Sequence, residues 1–395
     1  MPIWRLPDNL SDILPAEARQ IEALRHIALN TLRTWGYEII TPPLLEHLSA
    51  LTTGTAQDLE AVMFKVVDPL TGALLGIRAD LTPQAARIDA HLLNRTAPTR
   101  LCYCAPALRS QVGDAFAQRE LLQLGAELFG HSGLEADIEI QDLILHLLSQ
   151  LGLDATMQPT LALSSSAVLQ ALLEAYPLLN TIKTDILTAL RTKNKTHLYE
   201  LQARLTQQYF NDLTNITDAF EALQLLIISY GTPKEIPSHL FSRWANISHT
   251  VDTLHILAKR AEQQGIHVVI DLADLNGYGY HTGVQFAVYV HGLNNSLVRG
   301  GRYDAVGKLF GRSRAATGFS LDLRTLASLL PTQNVTQAIL APWTDCTDLD
   351  NTIAHLRTHG NTVIRCLPGH SHSHNELLCD RELVTIDGIW TIKSL

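Results

Sequence analysis

No apolar run in this sequence approaches the ~18 to 20 residues that a membrane-spanning helix needs. The segment from Met1 to Leu10 lacks a basic stretch followed by an apolar one, so no secretory leader is expected and the cytoplasm is the default address. The five cysteines, Cys102, Cys104, Cys346, Cys366 and Cys379, form no CxxC pair and are an odd set for a disulfide framework. Free thiols are the expectation. Positive charge is in deficit as well: 30 Lys and Arg stand against 39 Asp and Glu, a formal net charge of −9. Such a surface on average repels a phosphate backbone, which counts against nucleic-acid binding outside a local basic groove. No internal repeat, low-complexity tract or Ser/His/Asp or Cys/His nucleophile context is present.

What remains is a globular chain of 395 residues, 46% hydrophobic and 17% charged, long enough for two or three domains around a sizeable core. Ile21, Leu24, Ala28, Leu32 and Trp35 recur at spacings of three and four, which predicts an amphipathic helix from Pro15 to Trp35 ended by Gly36. Tyr37 to Thr41 reads as a strand stopped by Pro42 and Pro43. A polar turn, Arg78 to Pro83, opens a short helix, and Leu101 to Phe129 reads as strand, polar loop, strand. From about Ser165 to Lys259 the pattern is helical and without chemistry, and a helical insertion over about 175–262 is expected. Short strands are expected at His267 to Asp271, Val284 to Tyr289 and Ser296 to Arg299, then a helix from Asp322 to Leu330. Beyond Pro331 a strand, a helix, a strand and one or two terminal strands make a small α/β appendage over 331–395. The fold class expected is α+β, with a core over 1–326 built on a mainly antiparallel sheet flanked by helices.

Five stretches carry a resemblance. The first is the long helix running into Gly36 to Pro43; the second runs from Arg109 through Gln123 to Gly130; the third is Gly318 to Leu326. These resemble, in order, the signature motifs of class II aminoacyl-tRNA synthetases. Asn276 to Gly283 and Val298 to Asp304 resemble the histidine-specific motifs of the histidyl subgroup. Any one alone is weak, and all five in family order make chance improbable.

That resemblance implies a pocket for free histidine. Asp80 and Thr82 match the acidic residue and threonine that engage the α-amino group, although the family acid is Glu; alone, the pair also suits a helix cap. Arg109 matches an arginine near the substrate carboxylate. Gln123 and Glu127 lie four apart on one strand, so both side chains share a face. Tyr280, His281 and Tyr303 complete the expected histidine-binding set. His281 stands where the family usually has a second Tyr, and lining the pocket and serving as a satisfied core histidine are equally open.

The same comparison implies that the chemistry is lost. Asn276 stands where the family has an arginine that faces charge building on the α-phosphate, and a neutral amide does not replace a guanidinium. Asp322 replaces a Gly beside the nucleotide, and Thr325 replaces a phosphate-binding Arg; Arg324 is one residue off, ~100° around a helix. Gln111 stands where an acid is usual, and the loop from Ser110 to Gln118 has no basic residue for ATP or tRNA. No catalytic residue and no cofactor are therefore expected. Nor is a metal: Gly369 to His374 places three histidines in alternation, but no ligand spacing matches a structural zinc site and a solvated loop is preferred. Gly301 to Lys308 is rejected as a phosphate loop, its glycine spacing being one residue too long and Leu309 replacing the Ser/Thr.

A histidine pocket without activation chemistry resembles the synthetase-like regulatory subunits of short-form ATP phosphoribosyltransferase. This implies a dimer through residues 15–45, a hetero-oligomer with the short catalytic subunit, L-histidine as ligand, and no tRNA or membrane partner. A divergent active synthetase and an inert histidine-binding module for another partner are the alternatives.

Overall fold

The computed structural model describes residues 5–52, 57–111, 118–153, 155–331, 337–370 and 376–395. It divides into two compact units, residues 1–331 and 332–395. The first unit is organised by a nine-stranded sheet. Its order across the sheet is Glu38–Ile39, Thr99–Leu108, Glu120–Phe129, Ala316–Asp322, Val298–Arg302, Val284–Tyr289, Thr160–Ser165, His267–Asp271 and Tyr230–Gly231. Glu38–Ile39 pairs parallel to Thr99–Leu108 and Thr160–Ser165 parallel to His267–Asp271; the other neighbours are antiparallel.

Helices cover one face. The helix Pro15–Thr34 buries Ile21, Leu24, Ala28 and Leu32, the expected stripe. It ends because Gly36 takes a left-handed φ of 83°, letting Gly36 N–H reach Arg33 O at 3.0 Å and Tyr37 N–H reach Leu32 O at 3.1 Å. Leu134–Gln150, which has no counterpart among the expected elements, packs beside it and against the sheet. The helices over 175–262 are not a separate body. Leu198, Phe220, Leu254 and Leu257 lie in the same apolar core as the sheet's Leu124 and Val298, and Ala245–Gln263 packs on the strands Thr160–Ser165 and His267–Asp271. Tyr230–Gly231 from this segment even adds an edge strand.

The other face of the sheet carries a smaller apolar cluster that includes Leu81, Leu101, Tyr103, Phe129 and Tyr303. Over it lie the short helix Thr82–Arg87, a π-helical turn Ile88–Leu93, and a three-stranded sheet of Leu45–His47, Leu74–Ile77 and Phe64–Val67. The expected strand at Tyr37 to Thr41 is only Glu38–Ile39, and that at Ser296 to Arg299 is displaced to Val298–Arg302. In both cases the ladder partner, not local propensity, sets the ends.

In the second unit, the sheet order is Val363–Arg365, Ala338–Ala341, Cys379–Ile386 and Ile389–Ser394. Ile339, Val363 and Leu383 pack there with Leu349 and Ile353 of the helix Thr347–Thr358. No helix among the described residues is long and apolar enough to cross a membrane.

One ion pair ties the helical layer to the sheet. Arg302 Nη2 and Nε donate to Asp137 Oδ2 at 2.8 and 3.1 Å, with the side chains only 9% and 5% exposed. Arg302 also donates to the carbonyls of Gly133 and His131. Removing one partner of such a pair leaves an uncompensated buried charge. Asp137→Ala is therefore expected to lower stability by about 3 kcal/mol in urea unfolding. Asp137→Ala combined with Arg302→Met should recover part of that loss, because neither charge is then stranded.

Candidate functional site

The candidate site sits on the sheet face opposite the long helices. Its floor is Glu127, 1% exposed, on the strand Glu120–Phe129. Tyr303 Oη donates to Glu127 Oε2 at 2.5 Å and Tyr103 Oη to Glu127 Oε1 at 2.9 Å. Burial pushes the Glu127 carboxyl up to about 8, more than the hydroxyl donors pull it down. The glycines around it are steric necessities. A Cβ at Gly318 would sit 1.8 Å from Glu127 Oε2, and one at Gly125 would sit 2.5 Å from Tyr103 Oη.

Gln123, also buried, joins this floor to the turn before the helix Thr82–Arg87. Its Nε2 donates to Asp80 Oδ1 at 3.0 Å and its Oε1 accepts from Leu81 N–H at 3.0 Å. Asp80 Oδ1 also accepts from Thr82 N–H at 2.8 Å, so the carboxylate both shapes the turn and faces the pocket. Thr82 Oγ1 lies 3.1 Å from Tyr103 Oη. One hydrogen-bonded chain thus runs from Thr82 through Tyr103 and Glu127 to Tyr303.

Tyr280 stacks on Tyr303 with ring centroids 5.3 Å apart, and its buried Oη has no hydrogen-bond partner. His281 meets Tyr280 edge-on at 5.2 Å, and its buried ring lies against the Asn276 backbone. Burial, with Arg299 adding to it, depresses the His281 imidazole to about 4, so the ring is neutral at pH 7.

Arg109 lies just past the strand Thr99–Leu108, half-buried, with Nε 3.5 Å from Ala79 O beside the Asp80 turn. Gln111 is exposed and borders residues 112–117, so most of the loop from Ser110 to Gln118 is outside the described residues. Asn276 is exposed in the loop after the strand His267–Asp271, its N–H donating to Asp274 Oδ1 at 3.1 Å.

The Asp322 carboxylate is engaged within the chain. Its Oδ1 accepts from Leu122 N–H at 2.9 Å and Arg324 N–H at 3.2 Å; its Oδ2 accepts from Thr325 N–H at 3.2 Å and Thr325 Oγ1 at 2.7 Å. The two substituted positions bond to each other and cap the helix Leu323–Leu329. Arg324 is buried and reaches Glu120 O and Ser11, away from the pocket's polar chain. Of His370 to His374, residues 371–375 are outside the described residues; among the rest no group of three or more His, Cys, Asp or Glu is arranged to hold a metal. A cleft of about 820 Å³ elsewhere, lined by Leu145, His146, Ser149, Gln158, Gln264 and His267, shares no side chain with this polar set.

Tyr103 is the residue that sequence reasoning missed. Only the register that sets it opposite Gly125 places its hydroxyl between Thr82 and Glu127.

With Glu127 raised, the folded chain holds more protons than the unfolded chain between about 4.5 and 8. Stability from this group is full at low pH and is lost as pH rises through about 8. His281, depressed from 6.5, acts in the opposite sense but only below 6.5. Urea midpoints of the ligand-free protein should therefore fall between pH 6.5 and 8, and Glu127→Gln should flatten that decline.

Comparison with known proteins follows the same division of the chain. Residues 9–326 match the family model described as histidyl-tRNA synthetase, and residues 336–393 match that of the ATP phosphoribosyltransferase subunit HisZ C-terminal domain. The ATP phosphoribosyltransferase regulatory subunit of Bordetella petrii is 44% identical over 394 residues, covering 99% of both chains. That of Paraburkholderia phytofirmans is 46% identical, covering 100% of both. Among solved structures, an ATP phosphoribosyltransferase regulatory subunit/histidyl-tRNA synthetase from Bacillus halodurans aligns with a TM-score of 0.77 at 24% identity, over 92% of each chain. Histidyl-tRNA synthetase from Nostoc aligns at 0.74 and 18% identity, over 99% of this chain and 97% of that one. This chain belongs to the family of ATP phosphoribosyltransferase regulatory subunits, built on a histidyl-tRNA synthetase fold.

Proposed function

We propose that this chain is the non-catalytic regulatory subunit of a short-form ATP phosphoribosyltransferase in the cytoplasm. It activates the short catalytic subunit and carries feedback inhibition by histidine in the first step of histidine biosynthesis. Transferase chemistry belongs to the partner, and the chain pairs with a second copy of itself through residues 15–45.

One observation carries this reading: amino-acid recognition groups persist where activation groups do not. Asp80, Thr82, Gln123, Glu127, Tyr280, His281 and Tyr303 are bonded to or stacked on one another in one polar cluster, with Arg109 beside the Asp80 turn. A carboxylate for an ammonium or ring N–H, and a guanidinium for a carboxylate, suit a zwitterion carrying an imidazole. Adenylate formation needs cations already aimed at the phosphoryl oxygens. Positions 276 and 325 are neutral, and the Asp322 carboxylate is committed to a helix start. A tRNA partner is disfavoured by the net charge of −9 and by an appendage whose acids outnumber its bases.

Histidine then acts by binding one conformation of the hetero-oligomer better than another, for which a coupling of ~1 to 3 kcal/mol is usual. The purified chain is expected to bind L-histidine by calorimetry and to support no histidine-dependent exchange between ATP and pyrophosphate. Added to the short catalytic subunit, it should raise the transferase rate, and histidine should reverse the gain. Robust exchange would instead identify a working synthetase. An unchanged transferase rate with no co-elution would identify a module serving another partner.

A further inference from the structure

The pocket floor is a lattice of ladder rows, and one position in it has no role so far. One row across five strands holds Tyr103, Gly125, Ser320, Arg299 and Ala287. A second row holds Leu101, Glu127, Gly318, Gly301 and Gln285. The row between them holds Cys102, Ala126, Phe319, Gly300 and Phe286, and its side chains belong to the core under the helices. A Cβ at Gly300 would strike Phe286 at 2.3 Å, on that helix side. Side chains alternate along a strand, so Arg299, one residue from Gly300, shares the open face with Glu127.

Arg299 is exposed and makes no hydrogen bond or ion pair among the described residues. Among its neighbours in the two pocket-facing rows, Gly125, Gly318 and Gly301 bring no side chain of their own, and Tyr103, Glu127 and His281 lie over them. From Glu127 to Arg299 is two strands sideways, about 10 Å, and one row along, about 7 Å. Arg299 is near enough to His281 for its charge to depress that imidazole, which sets the guanidinium beside the polar set. The Asp80 carboxylate and the buried Glu127 carboxyl both lie on the side of the strand Glu120–Phe129, so an anionic group entering the pocket is better met by a cation placed away from them. Arg109 already leans on Ala79 O beside Asp80.

We propose that Arg299 is the anion-binding group of this pocket and receives the carboxylate of an α-amino-acid ligand whose side chain is held at Glu127. This rests on the histidine-binding reading above and extends it to a residue outside the expected set. The guanidinium fork accepts a carboxylate through two parallel N–H···O bonds, which fixes the orientation of the ligand as well as its affinity. It also gives a reason to prefer an amino acid over the corresponding amine.

The test compares L-histidine with histamine, which keeps the imidazole and lacks the carboxylate, by calorimetry on the full chain. The wild type is expected to prefer histidine. In Arg299→Gln that preference should vanish, histidine affinity dropping on the order of 10- to 100-fold while histamine binding stays unchanged. Arg299→Lys should recover part of the loss. Unaltered histidine affinity in Arg299→Gln, or equal weakening of both ligands, overturns the proposal. So does loss of the preference in Arg109→Gln alone, which would hand the carboxylate to Arg109. A wild type that binds neither ligand removes the histidine-binding reading, and the role of Arg299 with it.

Discussion

A carboxyl group buried without a counter-charge is the constraint around which this site is arranged. Glu127 lies in the middle of a nine-stranded sheet and is kept there by two tyrosine hydroxyls rather than by a cation. Hydroxyl donors lower the cost of burial without neutralising the charge, which is why the group stays raised to about 8. Everything near it follows. Gly318 and Gly125 are forced by the volume of Glu127 and Tyr103, and Tyr303 must come from a strand two places away, held by Arg302 on the residue before it. Tyr280 then stacks on Tyr303 because that ring is already fixed.

The altered phosphate end has been reused as structure. An aspartate placed against a nucleotide would only repel, but Asp322 receives four donors from Leu122, Arg324 and Thr325 and begins a helix. Such a cap is ordinarily worth about 1 kcal/mol. The helix it starts packs on Pro15–Thr34, so this cap is part of the scaffold of the apolar layer.

The polar network also explains how two distant stretches of chain serve one pocket. Thr282 N–H donates to Arg302 O at 2.8 Å, Asp304 N–H donates to Thr282 Oγ1 at 3.0 Å, and Ser166 Oγ donates to His281 O at 2.9 Å. The loop bearing Tyr280 and His281 is thereby tied to the strand preceding Tyr303, and through Arg302 to Asp137 in the helical layer. The loop bearing Tyr280 and His281 and the helical layer thus share a continuous set of hydrogen bonds.

Motif order in the sequence was enough to name the fold and the family, because a motif is a local string whose residues act together. Helix Pro15–Thr34 was equally legible, since its stripe and its terminal glycine are local signals. Tyr103 and Arg299 were not. Their importance depends on lying opposite Gly125 and Ser320, and ladder register is a relation between segments far apart in the chain. The direction of the Asp322 carboxylate was likewise invisible, because a side chain beside a strand end can turn either to a ligand or to a helix start. Sequence determined which groups this protein owns. Only the tertiary structure decided which of them meet, because side-chain alternation and strand pairing, not spacing along the chain, set what shares a face.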